Sequence, residues 1–141
     1  MARIIVADDD EILAEMVCSA LIAAGHTAGF LTNGRDALHT IKARRPDLVV
    51  LDCSMPEVSG VMLLRELRKS SDLFDLPVLM LTGRRNEQDV QLAYFAGCND
   101  YLKKPCDPEE VVFRVNELLA RNTATAGTRR PPRGQFGRRT G

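Results

Sequence analysis

Five short strand-like runs, RIIVA (3–7), TAGFL (27–31), DLVVLD (47–52), LPVLMLT (76–82) and NDYLK (99–103), recur along the chain, and a segment with helical spacing of apolar residues follows each. This alternation constrains the fold more than any other feature. Strands that pair in parallel need a crossover between them, usually a helix. Crossover helices cover both faces of the sheet, so its inner strands read as unbroken apolar runs rather than alternating ones. Five strands alternating with five helices over short loops predict an α/β fold, a parallel sheet covered on both faces with right-handed crossovers.

Local signals place the helix ends. The first helix starts at Glu11, turns Ile12, Met16 and Leu21 inward and stops at Gly25, a residue type favoured just past a helix end. Asn33 caps a second helix through about Arg45, and a third spans Gly60 to Lys69 with Val61, Leu64 and Leu67 as its stripe. Asn86 caps the fourth, which ends at Ala96 before Gly97. Asp107 and Pro108 read as N-cap and first residue of the last helix, with Val111, Val112, Val115, Leu118 and Leu119 inward.

One domain, residues 1–121, is expected, followed by an Arg/Pro/Gly-rich tail, 122–141, with too little apolar content to fold. Charge divides at the same place. Residues 1–121 hold 14 Lys and Arg against all 19 acids, a balance of −5, and the tail adds five arginines. No run of 18 apolar residues occurs, and a strand begins two residues after Met1, so a soluble, cytoplasmic protein without membrane contact is expected. Cys18, Cys53, Cys98 and Cys106 form no CxxC pair and no ligand cluster with His26 or His39. They read as small apolar residues of a reducing compartment.

In a parallel sheet, residues just past the strand C-termini meet along one edge, where ligands of such sheets bind. Asp8 and Asp9 follow the first strand, Asp52 ends the third, Thr82 ends the fourth and Lys104 follows the fifth. Carboxylates gathered on one rim repel one another, and their oxygens select a hard cation such as Mg²⁺, which is typically held by one or two carboxylates, waters and a phosphate. Asp52 is then placed as a nucleophile that forms an acyl phosphate, with Lys104 and Thr82 stabilising charge on the transferring oxygens. Asp10 fits a helix cap instead.

The segments IIVADDD, LVVLDCSMPEVSG, VLMLTG and GCNDYLKKP, in this order and spacing, resemble the signature segments of the response regulator receiver domain of two-component signalling, over residues 3 to about 121. The resemblance implies a flavodoxin-like (βα)5 fold of strand order 2-1-3-4-5, and a phosphorylation-controlled switch of single-domain type rather than an enzyme. Under it Asp52 is the phosphoacceptor, Asp9 the direct metal ligand, Asp8 the carboxylate that holds Mg²⁺ (or Mn²⁺) through water, and Ser54 the donor of a backbone carbonyl to the metal. Thr82 matches the switch hydroxyl, Lys104 its salt-bridge partner, and Tyr101 the switch aromatic that turns inward when Thr82 shifts. The implied phosphoryl donor is a sensor histidine kinase or a histidine phosphotransfer protein. The implied output is a downstream protein target, with a homodimer through helices four and five as a further possibility.

The chain also departs from the family. Cys106 stands where Phe often follows the Lys-Pro pair, Pro105 is expected to be cis, and Ser54 and Arg84 occupy positions that tune the acyl phosphate's lifetime. Cys53 and Cys106 flank the site, where redox modulation competes with an inert packing role. Two other functions fit less of the sequence. A metal-dependent aspartate-nucleophile phosphatase needs an acid two residues after its nucleophile, and Ser54 stands there. A DNA-associated module would act through the tail, whose arginines without interleaved aromatics support only non-specific nucleic-acid contact.

Overall fold

The computed structural model describes the backbone of residues 1–83 and 87–129, and the side chains of 1–83 and 90–121. Its elements alternate throughout: β1 (Arg3–Ala7), α1 (Glu11–Ala23), β2 (Thr27–Leu31), α2 (Gly34–Arg44), β3 (Leu48–Asp52), α3 (Gly60–Lys69), β4 (Val78–Thr82), α4 (Glu87–Ala96), β5 (Asp100–Lys103) and α5 (Pro108–Arg129). The strands pair in parallel in the order β2-β1-β3-β4-β5, as expected.

Alternate strand residues point to opposite faces, which splits the core in two. Ile5, Val49, Leu51, Val78 and Met80 pack with Ala37 and Ile41 of α2, Leu63, Leu64 and Leu67 of α3 and Ala93 of α4. Ile4, Val6, Leu48, Val50, Leu79 and Leu81 pack on the other face with Val17 and Leu21 of α1 and Val111 and Val115 of α5. Strands β3 and β4 are buried along their whole length, whereas edge strand β2 is half-exposed.

Capping follows the sequence closely. Asp10, Asn33 and Ser59 each accept a backbone N–H of the first turn they precede, and Gly25 follows the C-cap Ala24 with φ +101°. The inward face of α1 differs from expectation. Ile12 and Met16 are 72% and 51% exposed, whereas Leu21 is buried as expected, together with Ala14, Val17 and Cys18. The helix is apolar on most sides, so its phase is decided by fit: Ala14 and Cys18 are small enough to let α1 lie close to the sheet and α5. Helix α5 begins as expected, Glu110 and Val111 bonding to the Asp107 carbonyl. It runs past Arg121 to Arg129, through residues 122–126, which lack Pro and Gly, and through Gly127. The expected cap Asn86, Arg84 and residues 130–141 of the expected tail lie outside the described residues.

Candidate functional site

β1, β3 and β4 end on one edge of the sheet, where Asp8 and Asp9 follow β1, Asp52 ends β3 and Thr82 ends β4. Asp8 is fully buried there, Asp52 is 4% exposed and Thr82 3%, while Asp9 is exposed. Asp8 is fixed at both ends, its N–H donating to the Leu31 carbonyl (3.1 Å) and its Oδ1 accepting from Asp10 N–H (2.9 Å). Carboxylate oxygens of Asp8, Asp9 and Asp52 lie within 4.8 Å of one another. Lys104 closes the group. Its N–H donates to the Thr82 carbonyl (2.7 Å), its peptide bond to Pro105 is cis, and its Nζ donates to Asp8 Oδ1 (3.2 Å) and stands 3.3 Å from Asp52 Oδ1.

Among the described residues, one ammonium, that of Lys104, is paired with the carboxylates of Asp8 and Asp52, and the protonation of Asp52 reflects the shortage of positive charge. Burial first and the Asp8 charge second push the Asp52 carboxyl up to about 7, against the opposing pull of Lys104. For Lys104, burial disfavours the ammonium, but the Asp8 hydrogen bond and the Asp52 and Asp8 charges outweigh it and hold the group above its usual range. Two carboxylates about 5 Å apart repel by roughly 3 kcal/mol at an effective dielectric of about 20. Among the described residues, the buried Asp8 Oδ2 is met by an ion pair with Lys104 Nζ at 3.0 Å rather than by a well-formed hydrogen bond. Carboxylates this close, sharing one ammonium, remain under-compensated, and a divalent cation among the three acids would meet their charge. The donors are all hard oxygens, the set that Mg²⁺ and Mn²⁺ prefer.

The loop between β3 and α3 is held by contacts that sequence reading missed. Cys53 N–H donates to Leu81 O (2.9 Å), Gly60 N–H to Cys53 O (2.9 Å) and Gly34 N–H to Pro56 O (3.2 Å). A Cβ on Gly60 would sit 2.0 Å from the Asp52 carbonyl oxygen, and one on Gly34 1.7 Å from that of Val58, so both glycines are required by close approach. Nothing local announces this, since Gly60 reads as an ordinary helix start behind Ser59. Ser54 lies exposed on this loop.

Tyr101, half-buried on β5, rests edge-on against Tyr94 of α4, with ring centroids 5.5 Å apart and planes at 87°. Arg68 of α3 is a second omission. Its guanidinium donates to the carbonyls of Phe74, Leu76 and Gly97 and to Asn99 Oδ1, tying α3 to the end of α4 and the start of β5. The cysteines are all free. Burial pushes the Cys18 thiol up to about 11 and Cys98 to about 12, and burial followed by Glu110 raises Cys106, so none of these is activated as a thiolate. His26 is structural, its Nδ1 accepting from Ala2 N–H (3.1 Å) and its Nε2 facing Asn116 Oδ1 (2.8 Å).

With this geometry in place, the comparison with known families is decisive: the model of the response regulator receiver domain matches residues 4–116. The chain belongs to this family. The receiver is 40% identical over 125 residues to the response regulator MprA of Mycolicibacterium vanbaalenii, covering 89% of this chain and 53% of that one. It is 40% identical over 120 residues to the DNA-binding response regulator MtrA of Mycobacterium tuberculosis, covering 85% and 51%. The chain therefore spans about half the length of the curated relatives it matches. Among solved structures, the receiver domain of the Francisella response regulator 1452 superposes with a TM-score of 0.81 at 30% identity, over 86% of this chain and 99% of that one. The chemotaxis response regulator CheY4 of Vibrio cholerae gives 0.79 at 28%, over 84% and 98%.

Receivers are phosphoacceptor switches of two-component systems rather than enzymes turning over external substrates, and they generally use Mg²⁺ at an acidic pocket. The phosphatase reading is not favoured. Among the described residues, no helix is long and apolar enough to cross a membrane.

Proposed function

We propose that Asp52 accepts a phosphoryl group from a sensor histidine kinase or a histidine phosphotransfer protein and that the modified domain presents an altered surface to a downstream protein. The observation that carries this reading is the convergence of buried Asp8 and Asp52 and exposed Asp9 on one rim, with the Lys104 ammonium ion-paired to Asp8 and Asp52. An Asp52 oxygen attacks phosphorus, the bond to the donor's imidazole nitrogen breaks, and the imidazole leaves with its electron pair. Asp8, Asp9, Asp52 and the Ser54 carbonyl would hold Mg²⁺ or Mn²⁺, which when bound would neutralise charge on the phosphoryl oxygens. Lys104 meets the same charge from the β5 side, and Thr82 donates a hydrogen bond once the group has arrived.

Transmission runs along β4 and β5. Thr82 moves toward the phosphoryl group, Tyr101 turns into the space it leaves, and the surface around α4 and β5 is remade. The MtrA relatives are named as DNA-binding. The match covers about half of them, and the output read here is a protein contact. Incubation with acetyl phosphate and Mg²⁺ tests the assignment: one phosphoryl group should add to the wild type and none to Asp52→Asn, and a variant modified to the same extent would overturn it.

A further inference from the structure

Tyr101 registers with Met80, so its side chain lies on the same sheet face as Thr82, two residues further along β4. Its main chain is tied down. Tyr101 N–H donates to Asp100 Oδ1 (2.8 Å), and Arg114 Nη1 of α5 grips the two Asp100 oxygens at 3.0 and 2.9 Å. With the backbone held by the sheet and by α5, the freedom left to Tyr101 is rotation of its side chain. That ring makes an edge-to-face contact with Tyr94, a residue 45% exposed on α4 and outside the acidic pocket.

We infer that Tyr94 is a positioning residue that sets the resting balance of the switch, holding the Tyr101 ring against α4 and opposing its turn toward Thr82. The inference rests on the reading of Tyr101 as the switch aromatic. A turn of the Tyr101 ring toward Thr82 would break the edge-to-face contact, so its free energy favours the arrangement seen here, and a group arriving at Asp52 must overcome it. Aromatic pairs of this geometry favour the paired state by about two- to twelve-fold beyond simple burial. Removing the ring should raise the apparent affinity for a phosphoryl mimic by the same factor, because the two equilibria are linked.

The chain contains two tyrosines and no tryptophan, so replacing Tyr94 leaves Tyr101 as the single tyrosine. We would label Tyr94→Phe, which keeps the ring, and Tyr94→Leu, which removes it, with 3-fluorotyrosine and titrate each with beryllofluoride in saturating Mg²⁺. Tyr94→Gln serves as a second ring-free variant, and circular dichroism checks that all three are folded. The fluorine signal of Tyr101 should shift in every variant, with half-saturation about two- to twelve-fold lower in the ring-free proteins than in Tyr94→Phe. Equal midpoints, or a higher midpoint without the ring, would overturn the role of Tyr94. A Tyr101 signal that stays fixed while bound beryllofluoride is seen at the site would instead overturn the reading of Tyr101 on which the inference depends.

Discussion

Replacing Asp52 by Asn should make the metal-free protein more stable, although Asp52 sits beside a lysine. The carboxyl is pushed up to about 7, from an ordinary value of 3.8, by burial first and Asp8 second, so Lys104 does not compensate it in the folded state. Three units at about 1.4 kcal/mol each set a ceiling near 4 kcal/mol. The Asn amide gives up part of the Lys104 attraction, so about 1–3 kcal/mol is expected at pH 8. The sign follows from linkage. Below the unfolded value the group is protonated in both states and costs nothing; between about 4 and 7 only the unfolded chain ionises, and stability falls as pH rises. The gain from Asp52→Asn should therefore be near zero at pH 4, grow through that window and level off above pH 7. Urea unfolding of both proteins with and without Mg²⁺ reads this directly, and thermal unfolding should show roughly 3–5 °C of melting temperature per kcal/mol for a domain of this size. Mg²⁺ should stabilise the wild type far more than the variant. A variant less stable at pH 8, or a gain unchanged down to pH 4, would refute the electrostatic account.

Lys104→Gln removes the one ammonium beside Asp8 and Asp52. It should destabilise the metal-free protein by about 3 kcal/mol at pH 8, less at pH 5, and slow labelling by acetyl phosphate, measured by intact mass. Gly60→Ala drives a methyl group into the Asp52 carbonyl. Denaturation should show a loss of about 1–3 kcal/mol, with slower phosphorylation at unchanged Asp52 chemistry. Arg68→Met abandons the carbonyls of Phe74, Leu76 and Gly97. It should cost about 2–4 kcal/mol and speed amide exchange at the C-terminal end of α4, while leaving acyl phosphate formation in place.

Much of this protein is legible in one dimension because the signals are local. Buried parallel strands must be apolar on both faces, caps need Asp, Asn or Ser at a set position, and the parallel arrangement alone sends Asp8, Asp9, Asp52, Thr82 and Lys104 to a single rim. The family motif sharpened that rim into an order of roles. What the sequence left open depends on distances between residues far apart in the chain. The phase of α1 turned on how closely Ala14 and Cys18 let it approach its neighbours, which the apolar pattern could not decide between Ile12, Met16 and their neighbours. Gly60 is demanded by a backbone oxygen eight residues earlier, Arg68 by carbonyls up to 29 residues away, and Tyr94 by a ring on the next strand. The rise in the Asp52 carboxyl belongs to the same class. Residue type supplies the charge, but burial and the near contact with Asp8 exist only once β1 and β3 lie side by side.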